Sequence, residues 1–319
     1  MINAVNFIKS YERKSEGKIF AIGKDKGVLV SEKNFKQLSS KKSADIFAID
    51  GGNAIIADGG GWIISLLKVV VAGYNGYEKK IIKKKDYLLT ILHKDNFEFL
   101  LESEGRNIDI KLPDFSNEEI ENVPSKVMKI LEWQECMDLC RMEKQIIIMD
   151  SPLDADNKTE EDIIKNVEKT NNVVVGFSKT SRLRTNTGRS FLGVLNHMVK
   201  GREWYYYPIF ENEPVNTFVV KLNKRAKFCN KVQVFKKEKN FDEIFSYLSF
   251  FANDSEMLGY PYPLIKADKL ARITGFEKKK ESVRIERLLK KANLDDDLYS
   301  QNEHGELDMR MYRNLNQKS

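Results

Sequence analysis

Two aspartates close apolar runs in this 319-residue chain. Asp50 ends the run Asp45-Ile46-Phe47-Ala48-Ile49 and is followed by Gly51 and Gly52, and Asp150 ends Ile146-Ile147-Ile148-Met149. An apolar run stopped abruptly by an acid reads as a buried strand whose exit carries the carboxylate. Taken singly, an aspartate at such a place is most simply a turn residue. Taken together, the two predict more. If their strands are neighbours, both carboxylates emerge at one end of a sheet, close enough to repel unless a cation sits between them. Oxygen donors without Cys or His favour Mg²⁺ or Mn²⁺ over zinc. A pair of such ions, about 3.5–4 Å apart, activates a water and stabilises the leaving oxygen in phosphodiester hydrolysis. The segment between the two aspartates offers Glu132, Glu135 and Asp138 as a third acid. Leu131 and Trp133 flank Glu132 and place it at the rim of an apolar stripe, so Glu132 ranks first and Glu135 second.

The elements that must position these acids follow from apolar periodicity. β-prone runs at Trp62 to Val71, Tyr87 to Leu92 and Phe97 to Leu101 follow the Asp50 strand with short links and predict a meander. Between Glu118 and Glu143 the apolar residues recur at three- and four-residue steps, which predicts a helix starting close to Pro124. A further helix over Glu160 to Lys169 separates the Asp150 strand from the run Val173 to Phe177. Strand–helix–strand order implies parallel pairing, because the crossover returns the chain to the same sheet. The expected fold class is therefore α/β, a mixed sheet covered by helices. Beyond Ser190 the pattern predicts a helix at Phe191 to Met198, strands near Tyr205 to Phe210, Thr217 to Leu222 and Val232 to Phe235, and a helix from Phe241 to Phe251. The Pro-rich Gly259 to Pro263 opens another helix through Ala271. Residues 1–44 read as a polar extension with a short helix at Val5 to Arg13 and a hairpin pairing Ile19 to Ile22 with Val28 to Val30. Glu277 to Ala292 reads as a basic amphipathic helix before a polar tail.

Composition narrows the function classes. Lys plus Arg number 53 against 47 Asp plus Glu, a net charge of +6, which permits a polyanionic partner without demanding one. Apolar residues at 41% and charged residues at 31% describe a globular protein and exclude a mainly disordered one. Cys136 and Cys140 have no second pair and Cys229 stands alone, so neither a disulfide framework nor a zinc site is expected, and a reducing, cytoplasmic setting is. Met1 to Arg13 lacks an apolar leader, and Trp62 to Tyr74 falls short of the ~20 apolar residues of a membrane span. The glycines at 51–52 and 59–61 precede an apolar strand and not Gly-Lys-Ser/Thr and a helix, so no P-loop is present. Arg182, Arg184 and Arg189 lie in a polar stretch suited to phosphates, although a solvated loop explains each one alone. Trp204-Tyr205-Tyr206-Tyr207 reads first as alternating burial in a strand and second as a base-stacking surface. His93, His197 and His304 are scattered and receive no role.

Four blocks, Ala48-Ile49-Asp50-Gly51-Gly52, Ile147 to Leu153, Gly176-Phe177-Ser178-Lys179 and Leu258-Gly259-Tyr260-Pro261-Tyr262-Pro263-Leu264-Ile265-Lys266-Ala267-Asp268, resemble the NurA family of DNA-end-processing nucleases from about Ile46 to Ile273. The resemblance implies an RNase H-like nuclease domain over 45–275, between an N-terminal extension (1–44) and a C-terminal basic helix and tail (276–319). It further implies a homodimer, a Mn²⁺-dependent 5′ exonuclease and single-strand endonuclease, and a hexameric HerA-type ATPase translocase as partner in recombinational repair. Carried over by position, Asp50, Asp150 and Glu132 become metal ligands, with Asp50 bridging two ions. Tyr260 and Asp268 match active-site positions, the latter often His in relatives. Asp268 becomes a fourth ligand or the group that positions water, and Tyr260 a hydrogen-bond partner of phosphate or water. Lys179 follows an apolar strand and either contacts the scissile phosphate or is a surface lysine. The block that often reads Asp-Gly-Ser-Leu in relatives is Asp150-Ser151-Pro152-Leu153 here. With that departure and Asp268, a catalytically silent DNA-binding subunit is the alternative reading.

Overall fold

The computed structural model describes residues 20–22, 27–38, 42–178, 181–209, 215–294 and 298. The expected helix at Val5 to Arg13, Lys179, His304 and the C-terminal tail apart from Leu298 lie outside them. Eleven strands form one mixed sheet. Its left half is an antiparallel meander of β4 (Asp45–Asp58), β5 (Trp62–Asn75), β6 (Glu78–His93), β7 (Phe97–Ser103) and β8 (Arg106–Asn107). Next to β4 lies β9 (Ile146–Met149), then β10 (Val173–Ser178), both parallel to β4. β14 (Asn230–Phe235), β13 (Val215–Lys221), β12 (Trp204–Tyr206) and β3 (Phe35–Gln37) complete the order. A separate small sheet pairs β1 (Phe20–Ile22) with β2 (Gly27–Leu29) as the expected hairpin and adds β11 (Arg184–Thr185).

Helices cover both faces, and the two-residue alternation of β4 decides which side chain meets which helix. Ile46 and Ala48 belong to one core with α4 (Phe241–Phe251) and α5 (Tyr262–Ala271). Phe47 and Ile49 belong to the opposite core with α1 (Val123–Leu139) and, at its flank, α2 (Lys158–Glu168). The expected helix start at Pro124 is correct, since Pro occupies the first turn of α1, where a missing N–H costs nothing. α3 (Phe191–Met198) packs with β12 in a third core. α6 (Gly275–Lys291) begins with a capping box from Thr274 and Glu277. Glu277 also receives the buried Lys68 of β5 at 2.8 Å, which holds its carboxyl down at about 2, with help from the Thr274 backbone.

The sequence reading needs one correction in the second half of the chain. The strand expected over Tyr205 to Phe210 is β12, which ends at Tyr206, and all three of its residues are buried. They do not form a base-stacking surface, because Tyr205 is enclosed on one face and Trp204 and Tyr206 on the other.

Gly52 is required by close approach. A Cβ built there would lie 2.3 Å from the Ala271 carbonyl oxygen at the end of α5, a backbone atom with nowhere to go. Gly52→Ala should cost about 1–3 kcal/mol of stability, while Gly61→Ala, whose Cβ meets nothing within 4 Å, should stay within about 0.5 kcal/mol. Urea unfolding of the two variants checks the difference.

Candidate metal centre

The parallel register aligns Ile49 with Met149, so Asp50, which lies within β4 and not at the strand exit that the sequence predicts, sits beside Asp150 just past the end of β9. The Asp150 N–H donates to the Ile49 carbonyl at 3.2 Å, which extends the ladder one step and fixes the turn. Asp50 shares the parity of Ile46 and Ala48, and so faces α5. That helix is anchored by Leu264, Ile265, Ala267 and Ala271 in the core, which leaves Asp268 at the rim of the cleft. Asp50, Asp150 and Asp268 each offer an oxygen, and the three atoms lie within 4.8 Å of one another. The cleft they open into has a volume of about 540 Å³ and is also lined by Gly51, Pro152, Ser178 and Arg272.

Glu132 approaches from the opposite face. Its side chain lies on α1 beneath Gly51, where a built Cβ would come within 2.6 Å of the carboxylate oxygen, so only glycine leaves room for it. It is 5% exposed. Burial pushes its carboxyl well above the ordinary range, the charges of Asp50 and Asp150 push it further, and Lys129 and the Gly51 backbone oppose the shift. Lys129 is itself held by Asp156 at 2.7 Å and by the fully buried Glu160 at 3.0 Å, both N-terminal in or ahead of α2. Glu135 points elsewhere: it bridges Lys83 at 2.9 Å and Lys85 on β6. Asp138 pairs with Arg141 on the outer surface.

The Tyr260 hydroxyl donates to Asp150 Oδ1 at 2.5 Å. Its ring is buried edge-on against Phe177 of β10, with centroids 4.9 Å apart. Burial, followed by the charge of Asp150, drives the phenol far above its usual value, so the group stays a proton donor. Ser178 lines the cleft at the exit of β10, and Lys179, the next residue, is outside the described ones. Arg182, Arg184 and Arg189 do not line it. Arg272 is a cleft residue that the sequence reading missed. It lies 3.6 Å from Asp268, one helical turn on, and the spacing of four from Asp268 is the signal that could have found it.

Three carboxylates facing one cleft with a fourth buried behind them fit a divalent cation, because the chemistry of the donor set is all oxygen and anionic. A family model described as NurA domain matches residues 44–273. Among solved structures, the NurA nuclease from Sulfolobus solfataricus is similar at 16% identity and a TM-score of 0.57, over 91% of this chain and 94% of that one. An endonuclease V of Ciona intestinalis aligns at 12% identity and a TM-score of 0.43, over 76% and 87% of the two chains. A. aeolicus Argonaute aligns at 14% and 0.37, over 72% and 28%. No curated protein sequence matches. The mixed sheet flanked by helices is the α/β architecture expected from the sequence, and the fold is shared with the Sulfolobus nuclease.

The raised Glu132 carboxyl sets a sign for pH dependence. A group that the fold prefers protonated stabilises the protein fully below the unfolded carboxyl value of 4.5, and that contribution is lost as pH rises toward the raised folded value. Metal-free protein should therefore lose stability as pH rises above that range. Glu132→Gln should flatten the fall and gain about 1–3 kcal/mol at neutral pH. Thermal unfolding in EDTA from pH 4.5 to 8 measures both, and a variant that tracks the wild-type pH profile would refute the burial of an unfavourable charge.

Proposed function

The chain belongs to the NurA family of nucleases, and on that premise we propose that it is a DNA nuclease that uses Mn²⁺ or Mg²⁺ to hydrolyse phosphodiester bonds by a two-ion mechanism. The observation that carries this reading is the convergence of Asp50, Asp150 and Asp268, whose oxygens lie within 4.8 Å of one another. Asp50, Asp150 and Asp268, whose oxygens converge in the cleft, would hold the ions, and Glu132, buried against Gly51, would add a further carboxylate. A divalent cation held there would supply an acidified water and positive charge for the phosphate oxygens. The chain's own residues do the rest. Tyr260 fixes the Asp150 carboxylate through its hydrogen bond, and cannot itself serve as a base while its proton is held so tightly. Arg272, at the mouth of the cleft, offers a fork of donors to a bound phosphate. Lys179, the residue after Ser178 in the sequence, is the second candidate cation for a phosphate, as the family resemblance implies.

Family membership also supports the finer assignment. The domain over 45–275 acts as a 5′ exonuclease and single-strand endonuclease, forms a homodimer in the cytoplasm, and resects DNA ends with a HerA-type hexameric translocase that supplies the ATP-driven movement. Asp268 argues against the silent-subunit alternative, because at that position it adds a carboxylate to the cluster.

Degradation of end-labelled duplex and single-stranded DNA in Mn²⁺ tests the reading. Asp50→Asn and Asp150→Asn should each lower the rate by more than about 100-fold, and Tyr260→Phe by about 10–100-fold, as is common for a partner that orients a ligand. EDTA should abolish the activity. Equal rates from wild type and the two aspartate variants would return the silent-subunit reading.

A further inference from the structure

The hairpin between β5 and β6 carries side chains that the carboxylate cluster does not use. Its tip, Asn75-Gly76-Tyr77, turns through Gly76 at a φ of 55°, a left-handed conformation suited to glycine. The turn presents Tyr77 to solvent with 83% of its surface exposed. Its ring leans on Phe250 of α4, with centroids 5.1 Å apart. Across from it, the exposed Tyr262 opens α5 and meets Tyr74 edge-on at 5.2 Å. Together these rings border a groove of about 900 Å³ between the hairpin, α4 and α5.

The charges on the groove have one sign. Lys79, Lys84 and Lys266 line it, and Asp254 is the one carboxylate on its wall among the described residues. That acid already accepts hydrogen bonds from the backbone N–H groups of Glu256 and Met257. Neighbouring lysines on β6 are engaged: Lys80 pairs with Asp45, and Lys83 and Lys85 with Glu135. Lys79, Lys84 and Lys266 make no ion pair among the described residues. Exposed aromatic faces interleaved with unneutralised ammonium groups are what an unpaired polynucleotide strand requires, since bases stack on the rings and phosphates meet the lysines. A duplex buries its base faces within its own stack and gives the rings nothing to cover. An apolar protein partner would have to desolvate three ammonium groups without compensation.

The groove also adjoins the cleft through one helix. Tyr262, Lys266 and Leu270 line the groove, whereas Asp268 and Arg272 line the metal cleft. α5 is therefore a ridge shared by the two, and Tyr262 lies only about 9 Å along the helix axis from Asp268. We propose that this groove seats a single-stranded DNA segment next to the nucleotide being cleaved. The proposal rests on reading the metal cleft as the nuclease centre.

Tyr77→Trp reports directly on the groove, because Tyr77 is exposed and the chain's three native tryptophans supply a wild-type baseline. With Ca²⁺ in place of Mn²⁺, a twenty-residue oligo(dT) should quench the new indole well beyond the wild-type change. Lys79→Gln/Lys84→Gln should weaken oligo(dT) binding by about 10-fold and reduce the salt slope of log K by about 1.4, with blunt duplex affinity unchanged. If wild type binds or degrades oligo(dT) while the indole is not quenched and the double variant binds normally, the groove is overturned and the nuclease reading stands. A variant whose effect is a change of oligomeric state on gel filtration marks the patch as a contact between copies, and also overturns it. A wild type that neither binds nor degrades any DNA overturns both readings.

Discussion

The parallel pairing of β4 with β9 is the constraint from which the rest of the site follows. It sets Asp50, still within β4, beside Asp150 at the end of β9, and α5 brings Asp268 to them. Unit charges within 4.8 Å of one another repel by roughly 3 kcal/mol or more per pair at an effective dielectric near 20, less where the open cleft lets water screen them. That repulsion is tolerated because the strands carrying the acids are pinned by apolar side chains on both faces. Burying one isoleucine contributes about 1.5–3 kcal/mol, and Ile46, Ile49, Ile147 and Ile148 are all fully enclosed. The scaffold thus holds the carboxylates in a geometry that they would leave on their own, which is how a cation site can exist before its cation.

Alternation along β4 then assigns roles residue by residue. Asp50 turns toward α5 and the open cleft. Gly51 turns toward α1, where its missing side chain is filled by the Glu132 carboxylate and by Met128. Gly52 turns back toward α5, where the Ala271 carbonyl occupies the space a methyl would need. The two glycines after the acid are therefore not turn formers, since β4 runs on to Asp58. They are the places where two helices come closest to the strand, one to deliver an acid from below and one to deliver an acid from above.

How much of this was legible in the chain depends on the range of the interaction. The strands, the helix start at Pro124 and the adjacency of Asp50 and Asp150 were legible, because they rest on local periodicity and the crossover rule. That Asp50-Gly51-Gly52 continues as strand was not, because glycines after an acid locally resemble a turn and only the helices packed above and below explain them. The flanks Leu131 and Trp133 rank Glu132 ahead of Glu135, but the physical reason that separates the two is not local. Lys83 and Lys85, some fifty residues away on β6, draw Glu135 aside, and Gly51 leaves space for Glu132. The burial of all of β12 was hidden for a similar reason. An aromatic run has no polar partner to mark a solvent face, and both of its faces are covered by residues from distant segments, Phe35 and Phe191 on one and Phe218 and Phe245 on the other.

The block from Gly259 to Asp268 is where fold and chemistry are most tightly joined. Gly259 adopts a φ of 89° that an L side chain rarely accepts, and Pro261 with Pro263 then starts α5 without needing the N–H groups a first turn wastes. Between them, Tyr260 is thrust into the core against Phe177, and its hydroxyl meets Asp150. One short segment therefore sets two things at once, the orientation of the β9 carboxylate and the height at which Asp268 enters the cleft. Because the phenol is buried and faces anions, it cannot lose its proton without leaving two negative charges in contact, and so the hydrogen bond has a fixed polarity at any pH the protein meets. A serine or threonine would be too short to span from the α5 lead-in to the strand end, and a phenylalanine would fill the same space while leaving the Asp150 oxygen without this donor. The residue type at 260 is thus fixed jointly by the packing against β10 and by the carboxylate it must hold.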